Sequence, residues 1–256
     1  MAQATLMNHR GAVEVDRQGL ALIEAPPGSA TWFPVKHAEV LERVCETLDG
    51  AGFKIGAMQL SVARNEQRFF GVLNLTANVT NECSLAVGIR NSTDQSYPIG
   101  FAVGERVFVC DNLAFHSEII ISRRHTRHGE LRFNSAVSQA VLGLHEYQRT
   151  AADRIGRLQQ WELSAIEADA MILRAFEKGL VSTRTLPAVI KEWREPSFAE
   201  HRARTGYSLL QAFTFALKDR AKSSPQEFAA TTIGLQRLLN PPGDVIDVVS
   251  TPAIAG

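Results

Sequence analysis

Cysteine is scarce in this sequence. Cys45, Cys83 and Cys110 are the three in 256 residues, and no two of them stand in a CxxC spacing. An odd, scattered set argues against a disulfide framework or a zinc ribbon and predicts a reducing, cytoplasmic setting. Long hydrophobic runs are missing as well. No apolar stretch approaches the roughly 18 residues that can span a bilayer. The leading MAQATLMNHRGAVEV has no apolar core behind a basic start, so no secretory signal is expected either. Net charge is also absent, with 27 Lys and Arg against 27 Asp and Glu. A neutral chain is a poor indiscriminate ligand for polyanions, because phosphate neutralisation drives that affinity. The sequence contains no GxxxxGK(S/T) phosphate loop, no GxGxxG after a strand, no GxSxG elbow and no HExxH helix. Common nucleotide hydrolases, dehydrogenases, serine hydrolases and zinc proteases are thereby set aside.

The charge that is present is unevenly spread. Residues 1–122 hold 9 Lys/Arg against 13 Asp/Glu, residues 123–157 hold 7 against 3, and residues 184–222 hold 8 against 4, giving −4, +4 and +4. Two basic stretches in a neutral whole leave room for a local phosphate contact, the plain alternative being solvated helix faces. With 45% apolar residues, the chain can bury a sizeable core as one large domain or two small ones.

Periodicity then divides the chain. A leading segment, 1–31, ends in a turn cluster, and TWFPV follows as an extended piece. Val40, Leu41, Val44, Cys45 and Leu48 repeat at helical spacing, and Gly50-Ala51-Gly52 supplies the stop. FKIGAMQLSVAR, FFGVLNLTANVT, CSLAVGIR, PIGFAVGERVFVC and FHSEIIISRRHT read as five strands. No helix-length crossover separates them, so they predict an antiparallel meander. Gly100 and Gly104 permit a bulge in the fourth. From Asn134 or Ser135 as cap, Val137, Val141, Leu144, Ala151, Ile155, Leu158 and Ala165 predict one long helix that continues to about Leu180. TLPAVIKEW, TGYSLLQAFTFALKDRAK and SPQEFAATTIGLQRLL supply three more helices, the last opened by Ser224, Pro225 and Glu227 in a capping-box pattern. The expected fold is α+β. An antiparallel sheet of about five strands packs against helices within 32–133. A helical region, 134–240, lies on that sheet or forms a subdomain, and 241–256 is a tail.

Three groups of residues invite a chemical reading. Asn91, Ser92, Thr93, Asp94, Gln95 and Ser96 join two strands with short side chains that shape Asx and ST turns. They are either a plain connection or a polar rim, in which Asn91, Ser92, Asp94 and Ser96, with Asn112 beyond the next strand, offer hydrogen bonds to phosphate, sugar or base. Arg106 and Cys110 are four apart and face one side of a regular strand. Cys110 is a nucleophile only with a base beside it, and is otherwise a small buried residue. ISRRHTRHGELRF gathers Arg123, Arg124, His125, Arg127, His128 and Arg132, and forked guanidinium donors suit phosphate oxygens. His125 and His128 are three apart, yet no third or fourth ligand accompanies them, so neither a metal nor another cofactor is assigned.

The stretch RNSTDQSYPIGFAVGERVFVCDNLAF, with the later RRHTRH, resembles a family of laterally transferred phage- and plasmid-like proteins, domain of unknown function 932. Asn91, Ser92, Asp94 and Ser96 match its hairpin, Arg106, Cys110 and Asn112 its following strand, and His125 its basic loop. Thr93 and Gln95 stand where that pattern usually has histidine and glycine. TWFPVKHAEVLERVCETLDGAGF and SLLQAFTFALKD are similar to its opening and late segments, so the resemblance covers about residues 32–240. It implies a mobile-element origin and an α+β fold, without an established activity. A looser analogy is to phage single-strand annealing proteins, which also combine a small antiparallel sheet with helices and work as rings or filaments.

The expected function is therefore a nucleic-acid-associated accessory protein, oligomeric, binding single-stranded DNA or another nucleic acid, with no membrane partner. Arg123, Arg124, Arg127 and Arg132 would contact phosphates, Asn91, Ser92 and Asp94 would shape the hairpin or touch sugar and base edges, and Phe69, Phe70 and Phe115 would be candidates for base stacking, with core packing the plainer fate of each. An alternative is an enzyme built on Asp94, Arg106, Cys110 and His125. Another is a structural or anti-defence factor that binds a protein through the long helix.

Overall fold

The computed structural model describes residues 12–81, 83–107, 113–218 and 225–240. Cys110, Asn112 and Ser224 lie outside the described residues, as does the tail from 241. Six strands form one antiparallel sheet in sequence order: β1 (Val13–Glu14), β2 (Ile55–Ala63), β3 (Arg68–Asn78), β4 (Cys83–Ser92), β5 (Ile99–Val107) and β6 (Leu113–Arg123). β2 to β6 are the five expected from the sequence, and β1 adds two residues at the edge. The register of β5 against β6 shifts between Ala102 and Gly104, at one of the two glycines that permitted a bulge.

Alternation along the strands gives the sheet two faces. Leu60, Phe69, Leu73, Val87, Ile89, Phe101 and Val103 are buried on one of them. Onto that face comes α2 (His37–Gly50), preceded by the short α1 (Arg17–Ala21). In α2, His37, Val40, Leu41, Val44, Cys45 and Leu48 are buried, one stripe at helical spacing. The helix stops where expected, with Gly52 at φ 83° just past its end.

After β6 the outcome differs from the expectation in two places. The helix does not wait for Asn134 or Ser135. α3 (Gly129–Leu142) starts at Gly129 because Phe133, Val137 and Val141 extend its buried stripe back by a turn. Nor does one helix run through to Leu180. Gly143 separates α3 from α4 (Leu144–Gln160), and the chain leaves the helix again at Trp161. There Leu163 N–H donates to the Arg204 carbonyl and Gly206 N–H to the Trp161 carbonyl, contacts that hold 161–164 extended. Ser164 then caps α5 (Ala165–Glu177) in a reciprocal capping box with Glu167. α6 (Leu186–Arg194), a 3-10 turn (Ala199–His201), α7 (Gly206–Ala216) and α8 (Pro225–Leu238) follow among the described residues.

The helical part is not detached from the sheet. α8 and α3 run along β6, and α4 reaches β5 through Glu105, which accepts from Arg154 Nη2 at 2.7 Å and from Tyr147 Oη at 3.4 Å. One continuous apolar core joins sheet and helices.

Candidate functional site

The turns β2–β3, β4–β5 and β6–α3 close the same end of the sheet, since Ala63 pairs with Arg68, Arg68 with Ser92 and Ile99 with Arg123. Asn91 sits at that end on the α2 side, fully buried. Its Nδ2 donates to the Val35 carbonyl at 2.8 Å and to His37 Nδ1 at 2.9 Å. His37 Nδ1 is thus an acceptor, which places the ring proton on Nε2, and Nε2 donates to the Glu66 carbonyl at 2.9 Å. Burial lowers the His37 pKa to about 4, the hydrogen bond to Glu66 opposing it and nearby His125 adding to it.

Glu66 belongs to an unusual turn. Arg64, Asn65 and Glu66 all have positive φ, at 54°, 53° and 64°. Left-handed backbone costs a non-glycine residue roughly 1 kcal/mol or more. The turn persists because neighbours grip it. His37 holds the Glu66 carbonyl, while Thr93 donates to the Gln67 carbonyl from its N–H at 2.8 Å and its hydroxyl at 3.3 Å.

This corrects the polar-rim reading for two residues. Ser92 is fully buried too, its Oγ donating to the Tyr97 carbonyl and accepting from Tyr97 N–H. Asn91 and Ser92 are therefore structural ties and do not reach sugar or base edges. Asp94 and Ser96 remain near the surface, where Asp94 accepts from Arg68 Nε at 2.7 Å and from Ser96 N–H at 3.0 Å. Burial alone would raise the Asp94 pKa, but the hydrogen bonds from Ser96 and Arg68 outweigh it and hold the carboxyl below its ordinary value.

His125 is buried beyond the end of β6, and neither ring nitrogen has a hydrogen-bond partner among the described residues. Its backbone carbonyl accepts from Phe33 N–H at 3.0 Å, and its ring meets Trp32 edge-on at 6.4 Å. Burial lowers its pKa, the Phe33 backbone partly offsetting this. Segment 32–37 thus runs between His125 and Asn91 as a strap over the end of the sheet.

The basic residues beyond β6 behave otherwise. Arg123 is half-buried, whereas Arg124, Arg127 and Arg132 are exposed, with no ion pair or side-chain hydrogen bond among the described residues. The turn under them is tight. Thr126 N–H donates to the Arg124 carbonyl and Gly129 N–H to the Thr126 carbonyl. A Cβ on residue 129 would press into the Arg124 carbonyl oxygen, so glycine is required there.

The enzyme constellation is not assembled. Arg106 pairs with Ser84 at one end of β4, while Asp94 follows Ser92 at the other end. Eight strand residues at ~3.3 Å each separate the two. Cys110 is outside the described residues, and His125 faces Trp32 rather than Asp94. Of the stacking candidates, Phe69 and Phe70 are packed in the core, the alternative open to them from the sequence, and the Phe115 side chain lies outside what is described. His125 is buried and His128 exposed, and no three His, Cys, Asp or Glu side chains group to hold a metal among the described residues. No described helix is long and apolar enough to cross a membrane.

Sequence reasoning missed His37, Arg68, Arg90 and Tyr97. His37 carried a signal, since it precedes Val40 and Leu41 by three and four positions and so falls on the apolar stripe of α2. Comparison of the chain with protein-family models, curated proteins and solved structures gave no match.

Proposed function

We propose that this chain is a nucleic-acid-binding accessory protein of the phage- and plasmid-like kind, acting in the cytoplasm as an oligomer on single-stranded DNA. The observation that carries this reading is the set Arg124, Arg127 and Arg132, exposed around one tight turn and without carboxylate partners among the described residues. Guanidinium groups left free in solvent are available to phosphate oxygens. The family resemblance gains a point at Gln95, which holds φ 65° where the resembled hairpin has glycine.

The test is fluorescence anisotropy of a labelled oligothymidine at rising salt. Three phosphate contacts predict a log–log salt slope of about −2. The variant Arg124→Ala/Arg127→Ala/Arg132→Ala is expected to lose the binding and the slope together. Absence of binding by the unaltered protein at low salt ends the proposal. Light scattering with and without the oligonucleotide reads the oligomer.

Binding to another protein through α3 is a second reading with its own observation. Leu131 and Leu142 are exposed and stand three turns apart on one side of that helix. A partner that copurifies with the protein and is lost on Leu131→Ser/Leu142→Ser, while oligothymidine binding is absent, would favour it.

A further inference from the structure

Arg90 has no role in the arrangement described so far. It lies in β4 between Ile89 and Asn91, which point to the α2 side, so its own side chain is on the opposite face, beside Phe70 and Gly100 of the adjacent strands. The side chain does not stand upright. A Cβ added to Gly100 would meet Arg90 Cγ at 2.8 Å and Nε at 2.7 Å, so the arm lies flat across β5 and glycine makes room for it. The guanidinium carbon is 5.7 Å from the centre of the Tyr97 ring.

Among the described residues, that ring is the one group the guanidinium packs on. Arg90 is half-buried, yet it makes no ion pair and donates no hydrogen bond among the described residues. Burial pushes its pKa below the ordinary arginine value, with Tyr97 opposing. The other charges around Tyr97 are Arg68 and Asp94, and these already pair with each other at 2.7 Å. Their charges cancel, which leaves one uncompensated positive charge. A half-buried cation gains from an anion placed beside it. A planar fork of N–H donors donates to two oxygens of one tetrahedral group. A single charge matches the monoanion of a phosphodiester.

We propose that Arg90, laid over Gly100 and backed by Tyr97, is a seat for one phosphodiester group on the sheet face away from α2. The inference rests on the nucleic-acid reading for the source of the phosphate, and on a guanidinium unpaired among the described residues for the site itself.

The experiment is an NMR titration of the folded, full-length protein, following the arginine Nε–H signal that disappears in Arg90→Lys. Dimethyl phosphate should shift that signal saturably, and sodium chloride at equal ionic strength should not. Arg90→Lys keeps the charge but lacks the fork, and is expected to weaken dimethyl phosphate binding, read on neighbouring amides, about tenfold. Gly100→Ala displaces the arm without removing it and is expected to weaken binding similarly, which provides a second route if one variant folds poorly. The triple arginine variant of the β6–α3 turn should leave this response intact, so failure of the turn and failure of the seat are distinguishable. A shift with oligothymidine as well assigns the phosphate to a nucleic acid. A shift with dimethyl or inorganic phosphate but none with oligothymidine keeps the seat and overturns its nucleic-acid source. An unmoved signal in all arms overturns the proposal.

Discussion

Two turns at one end of the sheet handle polarity in opposite ways. In the β4–β5 connection the side chains are short and turn inward, Asn91 and Thr93 binding backbone carbonyls of other segments and Ser92 that of Tyr97 across the turn. In the β6–α3 turn they are long and cationic, and Arg124, Arg127 and Arg132 stay in solvent. The first arrangement is a tie that the fold needs. The second leaves charge unspent on the protein itself. Abundance of polar residues therefore does not locate a site. What the polar atoms already bind is more informative.

The comparison can be broken or sharpened in order of effect. Gly129→Ala should be the most damaging change, about 3 kcal/mol in chemical denaturation, because the added methyl meets a carbonyl that cannot retreat from a tight turn. Asn91→Ala should follow at about 2–3 kcal/mol, since it strands the Val35 carbonyl and His37 Nδ1 in the interior. A loss within the range of a surface change would show that the tie is dispensable.

Acid should act on the same tie. The folded-state pKa of His37, about 4, lies below the unfolded value of about 6.5, so the fold favours the neutral ring. Its contribution is complete above pH 6.5 and is lost as pH falls through 4, amounting to about 3 kcal/mol. Denaturation midpoints across that window test this, and His37→Gln should flatten the dependence. Asp94→Asn should cost about 1 kcal/mol or less, the Arg68 pair being partly open to water. Smallest of all is the expected stability effect of replacing Arg124, Arg127 and Arg132 together, within about 0.5 kcal/mol. A larger loss would mean that these side chains also serve the fold.

The strands were readable because apolar runs without crossovers admit little besides a meander, and α2 because its stripe and its closing glycine agree. The helix break at Trp161 was hidden. It depends on Arg204 and Gly206, more than forty residues away, supplying partners to an extended segment, and local periodicity cannot register that. The site was half-readable. Exposed arginines are visible in composition, but the inward turn of Asn91 depends on its register with Phe69 and on the strap 32–37, which only the assembled sheet brings together. Arg90 was passed over because it closes an apolar run and opens a polar one, the ordinary signature of a strand entering its turn.

The three left-handed residues Arg64, Asn65 and Glu66 leave this protein with unclaimed stability. Glycine fits that backbone without strain, so Arg64→Gly should harden the hairpin, less the greater freedom glycine has in the unfolded chain. It should also loosen the dependence of the hairpin on the imidazole that now holds it shut. The present sequence instead couples the first residue of a helix to the shape of the turn beyond the following strand, so a disturbance at either would be felt at both.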